Sequence, residues 1–317
     1  MQIAGEPMDK FSKILVTGHN GLVGSALARH LRFTGYNNVL TWPRSDVNLA
    51  NAEETAWAFS CYRPEYVFHC AARVGGIADN AANPLDFYLS NIAIQNNTIM
   101  SAAEFGVKKL LFLGSSCIYP LGCPQPIRED YLMSGKIDSA TEPYALAKIG
   151  GVRLCKWLHK ERGLPYIAAL PCNLHGPRDN FDVKTAHVVP GLIARLHKAK
   201  IACDPTFKVW GDGTAMREFL LADDLASALV LIMREYDDAT EHINAGSSLE
   251  LTIAKLAWII AYVVGYEGEI QFDPAQLTGV SRKLLDNSKL FSMGWTPKTD
   301  FFEGLRATYR WYMANTT

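Results

Sequence analysis

Tyr144 and Lys148 stand one helical turn apart in the run Glu142-Pro-Tyr-Ala-Leu-Ala-Lys148. A phenol gives up its proton reluctantly, with an unperturbed pKa of about 10. A lysine on the same helix face is expected to favour the phenolate electrostatically. Near the N-terminus, Gly18-His-Asn-Gly21-Leu-Val-Gly24 follows a short apolar run and opens a helical pattern. Glycines there let the chain turn tightly, approach a pyrophosphate and pack helix on strand, while helix N–H groups hold the phosphates. The two motifs together point to a nicotinamide dinucleotide at one end and proton transfer to an alcohol or ketone oxygen at the other.

These residues need a frame. Lys13–Gly18 reads as a buried parallel strand and residues 22–34 as a helix with apolar positions at Leu22, Val23, Ala26, Leu27 and Leu31. A strand at Val39–Trp42, a helix at Glu53–Tyr62, a strand at Tyr66–Cys70, a long helix from Pro84 to Phe105 and a strand at Lys109–Gly114 follow. A helix from Pro143 to Glu161 and a strand at Tyr166–Leu170 complete the alternation. The fold class predicted is α/β: a doubly wound parallel Rossmann sheet with a smaller, interleaved C-terminal substrate lobe. Residues 1–175, with a return near 207–245, are expected to bind the dinucleotide, and 176–317 mainly the substrate. Helices are expected at Val188–Ala199, Asp224–Arg234 and Ile253–Val264.

Composition narrows the function classes. With 317 residues, 49% hydrophobic and a formal net charge of −1, the chain suits a globular enzyme and carries no electrostatic footprint for nucleic acid or anionic membrane. The longest apolar stretch, Leu256–Val264, is too short to span a bilayer, and residues 1–12 lack a signal-peptide pattern, so a cytoplasmic location is expected. Seven cysteines without close pairing suggest neither a disulfide framework nor a metal site, and no metal is expected. Most of those cysteines read as small buried apolar residues.

The second strand informs the choice of dinucleotide. Arg44, in Leu40-Thr-Trp-Pro-Arg44-Ser-Asp46, could pair with a 2′-phosphate, which favours NADP(H). Asp46 lies two residues further and keeps NAD open. Ser115, in Leu111-Phe-Leu-Gly-Ser115-Ser116-Cys117-Ile-Tyr-Pro120, ends the fourth strand at the ligand edge. It reads as a hydrogen-bond partner of a substrate carbonyl, or as a strand-end cap.

The glycine turn, Ala71-Ala72-Arg-Val-Gly75-Gly76, the Ser-Ser-Cys-Ile-Tyr-Pro strand end and Glu-Pro-Tyr-Ala-Leu-Ala-Lys resemble an extended short-chain dehydrogenase/reductase. Asn173-Leu-His-Gly-Pro-Arg-Asp-Asn-Phe181, His187-Val-Val-Pro190, Val209-Trp-Gly-Asp-Gly-Thr214, Met216-Arg-Glu-Phe219 and Arg282-Lys-Leu-Leu-Asp286 narrow it to sugar-nucleotide epimerase/reductases, over residues 13–297. The resemblance implies a reductase triad of Ser115, Tyr144 and Lys148, and an acid/base pair of Cys117 and His187 for inversion α to a ketone. It implies a cofactor site of Gly18, Gly21, Leu22, Val23, Gly24, Arg44, Leu113, Ser115, Lys148 and Asn173. Arg195, Trp210, Arg217 and Lys283 would hold a GDP-sugar, and a homodimer through helices 84–105 and 143–161 is expected. Without the resemblance, His187 at a loop–helix junction would read as a cap or a surface residue.

The implied reaction inverts C3 and C5 of GDP-4-keto-6-deoxy-D-mannose and reduces C4 with NADPH. Other GDP-keto-sugars, such as a 6-deoxy-heptose or a colitose precursor, are the alternative. An inactive NADP-binding regulator is a second class, disfavoured by the intact Ser–Tyr–Lys set, and Cys117 in place of an acid disfavours a 4,6-dehydratase. The chain departs from the family at Asn20, at His175 and at Thr278-Gly-Val-Ser281, which leaves the chemistry and alters substrate detail.

Overall fold

The computed structural model describes residues 8–275 and 280–316. Thr278 and Gly279, where the departure at 278–281 begins, lie outside them. In chain order the elements are β1 (Ile14–Thr17), α1 (Leu22–Phe33), β2 (Val39–Leu40), α2 (Ala52–Tyr62), β3 (Tyr66–His69), α3 (Ile77–Ala82), α4 (Pro84–Glu104), β4 (Lys109–Leu113), α5 (Glu142–Arg162), β5 (Tyr166–Pro171) and β6 (Asn173–His175). There follow α6 (Val188–Ala202), β7 (Thr206–Trp210), β8 (Met216–Leu221), α7 (Ala222–Glu235), β9 (Ile243–Ala245), β10 (Glu250–Thr252), α8 (Ile253–Val264), β11 (Glu269–Asp273), β12 (Arg282–Lys283), α9 (Ser288–Ser292) and α10 (Phe301–Thr316).

Six strands form one parallel sheet in the order β2-β1-β3-β4-β5-β9. The chain leaves β1 for β2 on one side and returns to β3 on the other, so the crevice for a dinucleotide opens beyond the C-terminal end of β1. β1, β3 and β4 are buried along their whole length, as apolar runs covered on both faces must be. α1 packs beside α7, and α2, α4 and α5 pack in succession.

The helix ends follow local chemistry. Asn51 caps α2 by accepting from Glu53 and Glu54 N–H, with both acids in the positive first turn. α5 starts with proline in its first turn and stops at Gly163 in the left-handed region. These ends fix the helix that carries Tyr144 and Lys148.

A second apolar cluster joins α6, β7, α8 and α10, with Phe181, Ile193, Val209, Phe219, Leu256 and Leu305 at its centre. The Rossmann cluster takes back the chain from Leu220 to Ala245 and again at Leu285–Trp295. Thus β7, at the start of the anticipated return near 207, packs with the second lobe. There β8 is central: it pairs antiparallel with β10 and parallel with β12 and β6. β7 pairs with β11.

Two local expectations differ. β2 stops at Leu40 rather than Trp42, because Pro43 offers no N–H and Trp42 turns inward onto Phe59, centroids 5.3 Å apart. The short helix α3 lies in a stretch to which the sequence pattern assigned no element.

Candidate active site

Gly18 ends β1 with φ +69°, and a Cβ there would lie 2.8 Å from the Ala71 backbone. A Cβ on Gly24 would lie 2.3 Å from the Gly18 carbonyl oxygen. Both positions demand glycine, and their cradle opens at the N-terminus of α1, whose first residues are Leu22 and Val23. Gly21 is the N-cap residue and makes no side-chain cap. The His19 Nδ1 atom is buried here without a partner. Leu113 ends β4 and is buried. Arg44 is exposed just after β2, and Asp46 is exposed beside it, accepting from the Ser45 hydroxyl at 2.9 Å. A dinucleotide pyrophosphate fits this cradle.

The chemistry-bearing side chains gather where β4 ends and α5 begins. Ser115 leaves β4 in an extended conformation and its hydroxyl accepts from Cys117 N–H at 3.3 Å. The cap expected as an alternative therefore exists. The same hydroxyl also hydrogen-bonds Tyr144 and pulls that phenol's pKa down. Burial outweighs this pull, and the neighbouring Cys117 adds to burial, so the Tyr144 pKa is pushed well up.

The expectation that Lys148 acidifies the phenol is thereby corrected. Lys148 Nζ donates to the Leu113 carbonyl at 2.8 Å and lies 4.6 Å from the Phe112 ring centroid, against 5.8 Å for that of Tyr144. Its ammonium serves the strand end, and burial pushes its own pKa down to about 8. At neutral pH the site holds a protonated phenol, suited to donate.

Cys117 is partly buried, and burial pushes its thiol up. The Lys283 ammonium opposes this, followed by the Ser115 hydrogen bond and Lys148. Thiol and phenol thus share one electrostatic neighbourhood. His187 is the N-cap residue of α6, yet its side chain makes no capping bond, which removes the cap reading. The residue is exposed, while desolvation by its surroundings pushes the imidazole pKa down. The segment before it is tied to the β3–α3 loop by Gly76 N–H to the Thr185 carbonyl at 2.8 Å.

The basic residues fall into two groups. Arg195 lies over Trp210, guanidinium carbon 5.1 Å from the ring centroid, and donates to the Lys208 carbonyl at 2.5 Å. Trp210 itself is 53% exposed, available to stack a planar ligand. Arg217 and Lys283 are register partners across β8 and β12, both pushed down by burial. Asn173 pairs with Phe219, and its Nδ2 donates to the Glu218 carbonyl at 2.9 Å. Asn20 is exposed on the glycine turn. His175 is fully buried against α10, its Nδ1 3.1 Å from the Thr308 hydroxyl.

Three features escaped sequence reading. Asp138 lies close enough to Arg217 and Lys283 for its charge to oppose the burial that pushes both of them down. Arg73 grips the buried Asp79 through two nitrogens, at 3.0 and 3.1 Å, and covers Phe87, whose ring meets Tyr144 edge-on at 6.3 Å. Glu218 lies wholly inside the second lobe. Only the quoted Met216-Arg-Glu-Phe219 run hinted at the last.

Comparison with known proteins agrees with this geometry. The profile of the NAD dependent epimerase/dehydratase family matches residues 14–246. GDP-L-fucose synthase 1 of Arabidopsis thaliana is 46% identical over 307 residues, covering 97% of this chain and 95% of that protein. A GDP-6-OMe-4-keto-L-xylo-heptose reductase from C. jejuni superposes with a TM-score of 0.92 at 30% identity, over 98% of this chain and all of that one. A GDP-L-fucose synthetase from Naegleria fowleri bound to NADP gives 0.90 at 29% identity, over 99% of this chain and 98% of that one. A strand–glycine–helix cradle, a Ser–Tyr–Lys cluster and a relative this similar over nearly its full length have one common explanation: the chain belongs to the NAD dependent epimerase/dehydratase family.

Proposed function

We propose that this protein is an NADPH-dependent 3,5-epimerase/4-reductase that converts GDP-4-keto-6-deoxy-D-mannose to GDP-L-fucose. The observation that carries the reading is the gathering of Ser115, Cys117, Tyr144 and Lys148 around one strand end, with Lys283 in electrostatic reach of the thiol. Relatives named for GDP-L-fucose synthesis, 46% identical in one case, support the substrate.

Hydrogens α to a 4-keto group are acidic because the carbanion spreads onto oxygen. Inversion needs one group to remove such a proton and another to return a proton on the opposite face. Cys117 and His187 are assigned this work, since thiol and imidazole both exchange protons near neutrality. Burial moves the thiol up and the imidazole down, so the resting pair holds its shiftable proton on sulfur. Ser115 and the protonated Tyr144 donate to the developing enolate oxygen. The same phenol protonates O4 in the reduction.

NADPH supplies the hydride when bound. The glycine cradle at Gly18, Gly21 and Gly24, with Leu22 and Val23, is assigned to its pyrophosphate. Arg44 is assigned to the 2′-phosphate, and Leu113, Ser115, Lys148 and Asn173 to the nicotinamide end. Arg195 and Trp210 are assigned to the GDP moiety, and Arg217 and Lys283 to the diphosphate.

Among the described residues no helix is long and apolar enough to cross a membrane. All seven cysteines are free, which fits a reducing, cytoplasmic compartment. We assign a homodimer to the α4–α5 face, where Leu85, Leu89, Leu146 and Trp157 are exposed.

A second reading, a C4 reductase or epimerase for a GDP-keto-heptose, draws on the heptose reductase likeness. Product analysis with each ketone, NADPH and heavy water separates them. NADPH oxidation with deuterium at C3 and C5 of the mannose-derived ketone is the expected result. Turnover of the heptose ketone alone would replace it.

A further inference from the structure

Glu218 is a carboxylate with no exposure to solvent, in the strand that carries Arg217. Every partner it meets is a donor. Oε1 accepts from Ser248 N–H at 2.7 Å and from Asn287 Nδ2 at 2.8 Å, and Oε2 accepts from Leu285 N–H at 3.0 Å. Gly246 faces it, and a Cβ there would lie 2.2 Å from Oε1. Asn287 is held in turn by Gly246 N–H donating to Oδ1 at 2.7 Å. A buried carboxylate is costly unless fully hydrogen-bonded, and this one is held by three donors.

The donors are not placed at random. Leu285 lies two residues beyond Lys283, and Lys283 is the register partner of Arg217, the residue before Glu218. On its other side the same segment is tied to the loop after Cys117, by Leu284 N–H to Gln125 Oε1 at 2.8 Å and Ile127 N–H to the Leu284 carbonyl at 2.7 Å. β12 is only two residues long, so its own pairing with β8 cannot hold it firmly. The carboxylate extends the attachment to β8 beyond the end of the strand.

We propose that Glu218 is a positioning residue: its carboxylate anchors the 283–287 segment to β8, so that Lys283 faces Cys117 and stands beside Arg217 at the substrate. Glu218 touches neither of these side chains. It acts through the Leu285 backbone and through Asn287. Its own carbonyl, which takes Asn173 Nδ2, is unaffected by a change in the side chain.

The test is Glu218→Gln, which keeps the shape but turns one acceptor into a donor facing donors. Cys117 reactivity is read as the pH dependence of iodoacetamide alkylation, followed on its peptide by mass spectrometry. Lys283 holds the thiol pKa down, so release of the segment raises the apparent alkylation pKa. Lys283→Ala produces the same rise, and the double variant rises no further. In kinetics, KM for the GDP-keto-sugar rises about tenfold, while NADPH affinity changes less than about twofold.

A folded Glu218→Gln protein with an unshifted thiol titration overturns the proposal. So does a double variant whose shift is the sum of the two. If Glu218→Gln is recovered unfolded, Asn287→Ala, which removes one donor, gives a smaller shift in the same direction; no shift there overturns the proposal equally. The kinetic arm rests on the substrate reading above and the alkylation arm does not. A wild-type protein inactive on that sugar would sink the reading while the thiol titration still decides this inference.

Discussion

Lys148→Met in the cofactor-free protein tests whether burial, rather than partnership with Tyr144, governs this lysine. Lys148 is 3% exposed and its pKa is pushed from 10.5 down to about 8. That displacement corresponds to about 3 kcal/mol. The sign follows from proton counting: between pH 8 and 10.5 the unfolded chain binds the proton that the folded chain has lost. Stability from this group therefore rises with pH across that window, and below pH 8 the full cost is present. Methionine fills the channel without charge but leaves the Leu113 carbonyl without its donor, at roughly 1–2 kcal/mol. At pH 7 the variant should be more stable than wild type by about 1–2 kcal/mol, and by pH 10.5 that advantage should be gone or reversed. Urea unfolding of both proteins at the two pH values measures this, because titrating groups remote from Lys148 cancel in the difference. A stability difference that does not change with pH would refute the reasoning.

Three other outcomes follow from the same geometry. Gly24→Ala sets a Cβ 2.3 Å from the Gly18 carbonyl, backbone against backbone, so the turn must open; NADPH affinity measured by fluorescence titration should fall at least about tenfold, and an unchanged Kd would contradict the cradle. His175 is buried with Nε2 unpartnered and its pKa pushed down to about 4. Stability from its neutral form is complete above pH 6.5 and is lost as pH falls toward 4, up to about 3 kcal/mol, so His175→Phe should lower the acid-unfolding midpoint seen by circular dichroism. Tyr144→Phe should slow NADPH oxidation at least about 100-fold with NADPH affinity retained, and a smaller loss would remove the phenol as proton donor.

The doubly wound sheet was legible because β1, β3, β4 and β5 are short apolar runs between amphipathic helices, a pattern that only a covered parallel sheet satisfies. The long helices α4 and α5 were placed to within a residue, since proline marks both starts and glycine follows each end. The second lobe was less legible. Its strands β6, β10 and β12 are two or three residues long and exist through pairing with β8, a long-range event that local sequence does not encode. The residues of the site were readable as types, but their proton affinities were not. Spacing put Lys148 on the face of Tyr144, and the fold turned its amine to the Leu113 carbonyl instead. Glu218 carried no role inside its quoted run and Asp138 lay in no motif; the tertiary structure puts one among donors and the other beside two cations.

Cys117→Ser offers the most direct measurement of the proposed chemistry, because serine keeps the shape and removes the titratable thiol. With GDP-4-keto-6-deoxy-D-mannose, NADPH and heavy water, the account predicts that deuterium entry at C3 and C5 is abolished. Tyr144 and Lys148 stay in place, so NADPH binding should persist. Deuterium entering both carbons at the wild-type rate would contradict the account.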